Sequence, residues 1–417
     1  MEDISTSRRA PFGSNPTVGD TGRATQQRIL AAAGQAFAEH GYARTSVEAI
    51  TDIAGCSRPT FYQYFSGKED LHRRLATRFG ADLADLLNHI TAITADRAGR
   101  DELRRWLDGL ADVHDRYRAV ADNFAASVRT DDLMVTGSRT LSEAFRRRLL
   151  AVIEDVPTRS EPIELCTTAV NSIAYGSAVF RTRLGGPSKA RLTDAAADAT
   201  HRMIYGAIDD VNVGPRVPGR SRRHPAPRPT VIDDGADRPT RGQATRARLV
   251  DAAATAFGTL GYEAVRVDDI ATEADVSHGT FYRYFTDKDD VFTEHVDATT
   301  DEVVALLDTW PVAAGDEVRW ATAYYELFAR RGGIIACLPE AQTAGLECAA
   351  RSRHETAQAL RRALDTREFG DTEADVVICF ALLENLPSVV FRALGLSVDD
   401  AITATALVIR RGIFGAD

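Results

Sequence analysis

The 417-residue chain is poor in cysteine, and its five cysteines, Cys56, Cys166, Cys337, Cys348 and Cys379, fit neither a zinc site nor a disulfide framework. They predict reduced thiols in a cytoplasmic protein. Aromatic residues make up only 7% of the chain and β-branched alternation is scarce, so the composition predicts an all-α fold. Long apolar runs are lacking. The first twenty residues, with Arg8, Arg9, Gly13 and Pro16, hold no apolar core of a signal peptide. The most apolar stretch, 374–391, is interrupted by Glu384 and Pro387 and is too short to span a bilayer. A soluble protein with no membrane partner is expected. HExxH, GxSxG and a phosphate-cradling glycine loop are all missing, so an enzyme is disfavoured, and neither metal nor cofactor is expected. With 50 Lys and Arg against 60 Asp and Glu, the net charge of −10 excludes a non-specific nucleic-acid coat protein. It leaves room for a small basic face on an acidic body.

What is present is an internal repeat at an offset of 220 residues, running without a gap from Gly22/Gly242 to Asp70/Asp290 with 21 of 49 positions identical. Its best-preserved part is Ser57-Arg58-Pro59-Thr60-Phe61-Tyr62-Gln63-Tyr64-Phe65, mirrored by Ser277-His278-Gly279-Thr280-Phe281-Tyr282-Arg283-Tyr284-Phe285. Each copy reads as three helices. In the first, Thr25 is the expected N-cap of a helix whose apolar stripe is Ile29, Ala33 and Phe37 and which stops at Gly41. Thr45 and Glu48 have capping-box spacing at the start of the second helix, which stops at Gly55. Ser57 caps the third, with Pro59 in its first turn. A helix pair joined by a glycine turn is the helix-turn-helix pattern.

An α-helix fits the major groove, and the start of the second helix of such a pair meets base edges. Arg58 suits guanine, Gln63 adenine, and Pro59 or Thr60 a thymine methyl, with Tyr64 alongside. Lys68 opens the following helix, where its charge and the free N–H groups favour phosphate. Phe61 and Phe65 are core. The matching set in the second copy is His278, Gly279, Thr280, Arg283 and Tyr284, with Lys288 on phosphate. Thr45, Ser46, Ser57, Arg266 and Ser277 complete the candidate DNA-facing residues.

The block from Thr45-Ser46-Val47-Glu48 through Thr60-Phe61-Tyr62-Gln63-Tyr64-Phe65 to Lys68-Glu69-Asp70-Leu71 resembles the N-terminal domain of TetR-type (tetracycline-repressor-like) transcriptional regulators. The second copy, from Gly261-Tyr262 to Lys288, resembles it equally well. The resemblance covers about fifty residues of each half. It implies two tandem units, each a three-helix DNA-binding domain followed by a helical effector and dimerisation bundle, and a DNA operator as partner. It implies phosphate contacts for Tyr62 and Tyr282, and a small-molecule effector held in a bundle.

The expected organisation is a polar arm over 1–24, helix-turn-helix domains over 25–72 and 245–292, bundles over 73–210 and 293–417, and a Pro/Arg-rich linker over 211–244. The arm is expected to be mobile, either plainly disordered or with Arg8, Arg9 and Arg23 reaching a phosphate backbone or minor groove. An apolar or aromatic effector would be lined by Trp106, His114, Tyr117, Phe124 and Tyr175 in the first half. In the second it would be lined by Trp320, Tyr324, Phe328, Phe380 and Glu384. Because family members pair as homodimers through their last two long helices, one chain carrying both halves is expected to form an intramolecular pseudo-dimer. Helices 163–184 and 189–208 would pack on 373–394 and 398–413 and read an operator with unlike half-sites.

The second copy looks the weaker DNA binder. Residues 22–73 hold six Lys and Arg against five Asp and Glu, whereas 242–293 hold five against nine, and Val265 stands where Thr45 supplies a cap. A homodimer of tandem chains with a vestigial second head, or an interaction scaffold, is the alternative. The expected location is the bacterial cytoplasm, on the nucleoid when bound to DNA.

Overall fold

The computed structural model describes residues 20–42, 44–122, 132–155, 163–215, 240–311, 315–365, 367–387 and 397–416. The described residues form helices and no strands. The arm over 1–19 and most of the linker lie outside them. The chain divides into two compact units that do not follow its two halves: Met1–Asp85 with Val113–Phe124, and Leu86–Asp112 with Ala125–Asp417.

The first unit holds α1 (Asp20–His40), α2 (Val47–Ala54), α3 (Arg58–Tyr64), most of α4 (Lys68–Asn88), the end of α5 (Arg97–Arg116) and α6 (Arg118–Asp122). Its core is the stripe read from the sequence, Ile29, Ala33 and Phe37, joined by Ile50, Phe61, Phe65 and Leu71, all essentially inaccessible. Each large side chain so buried stabilises the fold by about 1.5–3 kcal/mol. Two caps differ from expectation. Helix α1 begins before Thr25, whose hydroxyl donates to the carbonyl of Thr21 one turn back inside the helix. The N-cap of α2 is Ser46, accepting from the Ala49 N–H, while Thr45 is buried and its hydroxyl is shared between the carbonyls of Ala36 and Gly41.

The second unit contains α7 (Asp132–Val152), α8 (Ile163–Arg183), α9 (Lys189–Tyr205) and every described helix of the second half. These are α10 (Arg241–Leu260), α11 (Val267–Glu273), α12 (His278–Phe281), α13 (Lys288–Leu307), α14 (Glu317–Thr343), α15 (Glu347–Leu364), α16 (Thr372–Asn385) and α17 (Val398–Leu407). After α17 the chain continues as a π-helical segment, Val408–Ile413.

At its centre α8 crosses α16 so closely that a Cβ on Gly176 would lie 2.3 Å from Cβ of Ala381, and Phe180 meets Phe380 at 5.8 Å between ring centroids. Beside this, α9 packs on the π-helical segment. Arg202, almost wholly buried, donates through Nε and Nη2 to the Gly412 carbonyl at 3.0 and 2.7 Å. Arg191 holds Asp371 with two bonds of 2.8 Å, and the buried pair Arg367–Asp375 closes at 2.7 Å. A buried cation with carbonyl and carboxylate partners avoids the desolvation cost that an unpaired one carries. Residues 163–205 of the first half are thus packed on 369–413 of the second through apolar, carbonyl and charged contacts together.

Candidate nucleic-acid interface

The first three-helix head is built so that one side of α3 is core and the other is open. Ser57 accepts from the Thr60 N–H at 3.2 Å, which starts the helix, and Pro59 in its first turn gives up a donor that would have been unpaired anyway. Phe61 and Phe65 then point inward, and Arg58, Pro59, Tyr62 and Gln63 outward, with Thr60 and Tyr64 half-buried. Tyr62 is 53% exposed, unusual for so large a side chain.

The second head repeats this arrangement residue for residue. Ser277 caps through the Thr280 N–H at 3.2 Å, Phe281 and Phe285 are buried, and His278, Gly279, Tyr282 and Arg283 are exposed, Tyr282 to 51%. Thr280 and Tyr284 are half-buried like their counterparts, and the Arg283 guanidinium lies 5.7 Å from the Tyr284 ring. The regular helical turn is shorter, ending at Phe281, where α3 runs on to Tyr64. An aspartate in the left-handed region, Asp275 at φ 52°, makes the turn that Gly55 makes at φ 59°.

In both heads the first residue of the reading helix is paired with an acid on the preceding helix, Arg58 with Glu48 and His278 with Asp268. These pairs were not foreseen from the sequence, although the 220-residue offset relates them. A second difference was also hidden. In the first head Arg74 of α4 lies over the Phe65 ring at 5.0 Å, whereas in the second Arg246 of α10 lies over Phe285 at 5.1 Å. Arg246 is paired there with Glu294, the residue at the position of Arg74.

Two groups expected to face DNA make bonds within the head instead. Lys68 does not point its ammonium outward: it donates to the carbonyls of Tyr42 and Thr45 at 3.1 and 3.3 Å and sits 4.7 Å from the Tyr42 ring. Lys288 does the same with Tyr262, Glu263 and Val265 at 2.8, 3.3 and 3.1 Å, 4.7 Å from the Tyr262 ring. Burial holds the Lys288 ammonium below the usual lysine range. These lysines tie down the carbonyls of the turn before the second helix, where a cation is favoured. The Thr45 side chain is likewise turned inward and presents nothing to a groove. Ser46 and Arg266, at the matching entrances of α2 and α11, are exposed, and Arg266 is held by its own N–H bond to Asp269 at 2.8 Å. That bond stands in for the hydroxyl cap that Ser46 supplies in the first head.

The expected effector linings fare unevenly. Trp320 stacks on Tyr324 at 5.8 Å and meets Trp310 edge-on at 4.7 Å, and Phe328 lies 6.4 Å beyond, one array along α14. Trp320 Nε1 donates to the Leu306 carbonyl and the Tyr324 hydroxyl to that of Leu383, while Trp310 Nε1 is buried without a hydrogen-bond partner. Phe380 is not in this array: it packs on Phe180 where α8 crosses α16. Glu384 is nearly buried and faces Arg353 at 3.7 Å. In the first half Trp106 packs on Phe145 at 5.3 Å, while His114 and Tyr117 pack on Phe79 at 5.1 and 5.7 Å. Burial pushes the His114 imidazole down to about 3. Phe124 and the side chain of Tyr175 lie outside the described residues. A narrow cleft elsewhere, between α5, α8 and α9, is lined by Leu107, Ala111, Ala174, Ala178 and Leu192 with Arg181 and Lys189, and by none of these aromatics.

No helix among the described residues is long and apolar enough to cross a membrane. No group of three or more His, Cys, Asp or Glu among them is arranged to hold a metal ion.

Residues 29–75 and 249–294 each match the domain described as that of bacterial regulatory proteins of the tetR family. The chain is 28% identical over 163 residues to the HTH-type transcriptional repressor AcnR of Corynebacterium glutamicum, spanning 38% of this chain and 82% of that protein. It is 31% identical over 143 residues to the HTH-type transcriptional activator FasR of Mycolicibacterium smegmatis, spanning 30% of this chain and 64% of that one. Among solved structures, a TetR-family transcriptional regulator from Syntrophomonas wolfei aligns at 16% identity over 45% of this chain and 98% of its own, with a TM-score of 0.36. The fatty acid degradation regulator FadR from Bacillus halodurans aligns at 16% identity, over 42% and 94%, with a TM-score of 0.33.

Proposed function

Since the chain is a tandem TetR-type regulator that binds DNA through helix-turn-helix heads, we propose that its two halves pair within one chain and read an operator with two unlike half-sites. The carrying observation is that the heads keep one framework and one pattern of burial while their exposed reading residues differ: Arg58/His278, Pro59/Gly279 and Gln63/Arg283. In this reading Arg58, Thr60, Gln63 and their counterparts face base edges, and Ser46, Ser57, Tyr62, Tyr64, Arg266, Ser277, Tyr282 and Tyr284 face the backbone or its neighbourhood. The contacts of 163–205 with 369–413 support pairing within the chain, because they use a buried arginine of one half on a carbonyl of the other.

Control is proposed to be repression, as in AcnR, relieved by a small apolar or aromatic molecule lodged beside the Trp320–Tyr324–Phe328 array. The protein would act in the bacterial cytoplasm, on the nucleoid when DNA-bound, and perform no chemistry of its own.

The test is selection of bound fragments from random or genomic DNA, followed by footprints of the variants. Two unlike half-sites, one lost with Arg58→Ala and the other with Arg283→Ala, are expected. A perfect palindrome lost only with Arg58→Ala would establish the second reading, a dimer of chains with a silent second head. That reading is favoured by one observation, the five basic against nine acidic residues of 242–293.

A further inference from the structure

Where the two bundles meet, each supplies a feature that the other lacks. Helix α9 with the turn after it, and α17 with its π-helical continuation, can be laid in register: Ser188 on Ser397, Arg202 on Arg411, Ile204 on Ile413 and Gly206-Ala207 on Gly415-Ala416. Both serines are N-caps, so the match holds in structure as well as in sequence. Two differences within it fall at the junction. Met203 is wholly buried, and its counterpart is Gly412. A Cβ on Gly412 would stand 3.3 Å from the Ala199 carbonyl oxygen of α9, closer than side chains ordinarily come. The other difference is one of charge. Arg191 holds Asp371 of the second bundle through both carboxylate oxygens, and the counterpart of Arg191 is Asp400.

At the crossing of α8 and α16 the residue without a Cβ comes from the first bundle, Gly176 against Ala381. Helix α16 contains no glycine, and neither does α9. Each bundle therefore carries the glycine that the other needs.

A symmetric dimer sets one patch against its own copy. Two first bundles paired in this way would bring Met203 to Ala199, where Gly412 now stands. Two second bundles would have no glycine for the α16 crossing, and Asp400 would face Asp371, acid against acid. Like charges so placed suppress a wrong pairing.

We infer that the two bundle faces are selective for each other: each accepts the unlike half of the chain and rejects its own copy. Gly176, Arg191 and Gly412 decide the choice on the accepting side, and Met203 and Asp400 on the rejecting side. The inference rests on the proposed pairing within one chain and adds to it a barrier against a symmetric dimer of chains through the same faces. The linker supplies nearness and the faces supply choice. A chain so built meets DNA as one molecule, and abundant copies of it do not draw one another into mixed assemblies.

The experiment is native mass spectrometry on the full-length chain carrying a protease site in its linker. Two differently tagged batches are cleaved, mixed and left to exchange. Each first half should be found with a second half, and like pairs should be rarer by at least about tenfold. Arg191→Asp, which presents the acid that a second bundle would present, should weaken the unlike pair by about tenfold, and less so at high salt. Arg191→Lys keeps the charge and should stay within about threefold of wild type. Like pairs as abundant as unlike ones, or an Arg191→Asp chain whose halves pair as tightly as wild type, would overturn the inference while leaving pairing within the chain intact. Wild-type halves that separate completely on cleavage would overturn the parent reading instead.

Discussion

The two heads are the same framework anchored in different ways. In the first, the core of α1–α4 belongs to a compact unit of its own with residues 113–124. In the second, the core does not stop at the head: Phe257, Phe281, Phe285 and Phe292 share one apolar cluster with Ile334, Cys337 and Leu338 of α14 and Cys348 of α15. There α10 and α14 meet without side chains between them, a Cβ on Gly333 falling 2.9 Å from the Gly258 Cα, and Cys337 Sγ donates to the Phe257 carbonyl. The lesson is that one three-helix framework can be mounted as a separate body or as the end of a bundle. The core of the second head is continuous with α14 and α15.

The largest effect that tests this contrast comes from the aromatic centre of each head. Phe61→Ala and Phe281→Ala should each cost about 3–5 kcal/mol of local stability. Hydrogen exchange should show the first loss confined to the first unit and the second spreading to 334–349. Equal confinement would break the comparison.

Next come the inward lysines. Lys68→Met and Lys288→Met each remove charged hydrogen bonds to backbone carbonyls and a cation over a tyrosine ring, at about 1–3 kcal/mol. Thermal melts should fall accordingly, while the dependence of DNA affinity on salt keeps its slope. A slope reduced by about one would mean a lost phosphate contact instead.

Acid should act on the two heads through different histidines, His114 against Phe79 of α4 in the first unit and His295 in the second head. The first head has Leu75 where the second has His295, whose Nε2–H donates to the Val250 carbonyl at 2.7 Å and whose charged form burial disfavours. His201 is held neutral in the same way, Nε2 donating to the Thr94 carbonyl and Nδ1 accepting from Asn212. Their folded pKa values lie below the ordinary 6.5, so the unfolded chain binds more protons. Stability is therefore full above that pH and declines as pH falls through the window beneath it, by up to about 1.4 kcal/mol per pH unit for each group. Melting scans between pH 7.5 and 5.5 should show the decline, reduced in His295→Leu.

The smallest effect belongs to the turn. Asp275→Gly should stabilise the second head by up to about 1 kcal/mol, since glycine takes the left-handed conformation without a Cβ penalty, whereas Gly55→Asp should weaken the first. Denaturant midpoints of the two variants check both signs.

Much of this contrast was legible in the sequence. The repeat, the stripe of Ile29, Ala33 and Phe37, the caps at Ser57 and Ser277 and the outward reading residues follow from helical period and turn chemistry, which are local. What escaped was tertiary. Lys68 looks like a surface cation until the Tyr42 and Thr45 carbonyls of the turn between α1 and α2 are seen beside it. Thr45 looks like a cap until Gly41 and Ala36 turn their carbonyls toward it. A clue was present for the lysines: the same residue recurs at 68 and 288, each facing a tyrosine twenty-six residues earlier, at 42 and 262. Phe380 was assigned to a pocket because an aromatic on an apolar helix gives no sign of which neighbour it will meet.

The crossing of Gly176 against Ala381 has one further consequence, for inheritance. In an isologous dimer every contact residue faces a copy from the same gene, so one substitution strikes the interface twice and each face must suit itself. Here the glycine is on one helix and the alanine on another, encoded separately. A change at either is felt once, and an improvement on one side need not be tolerated on the other. The two faces, and the reading helices they carry, are free to drift apart one codon at a time.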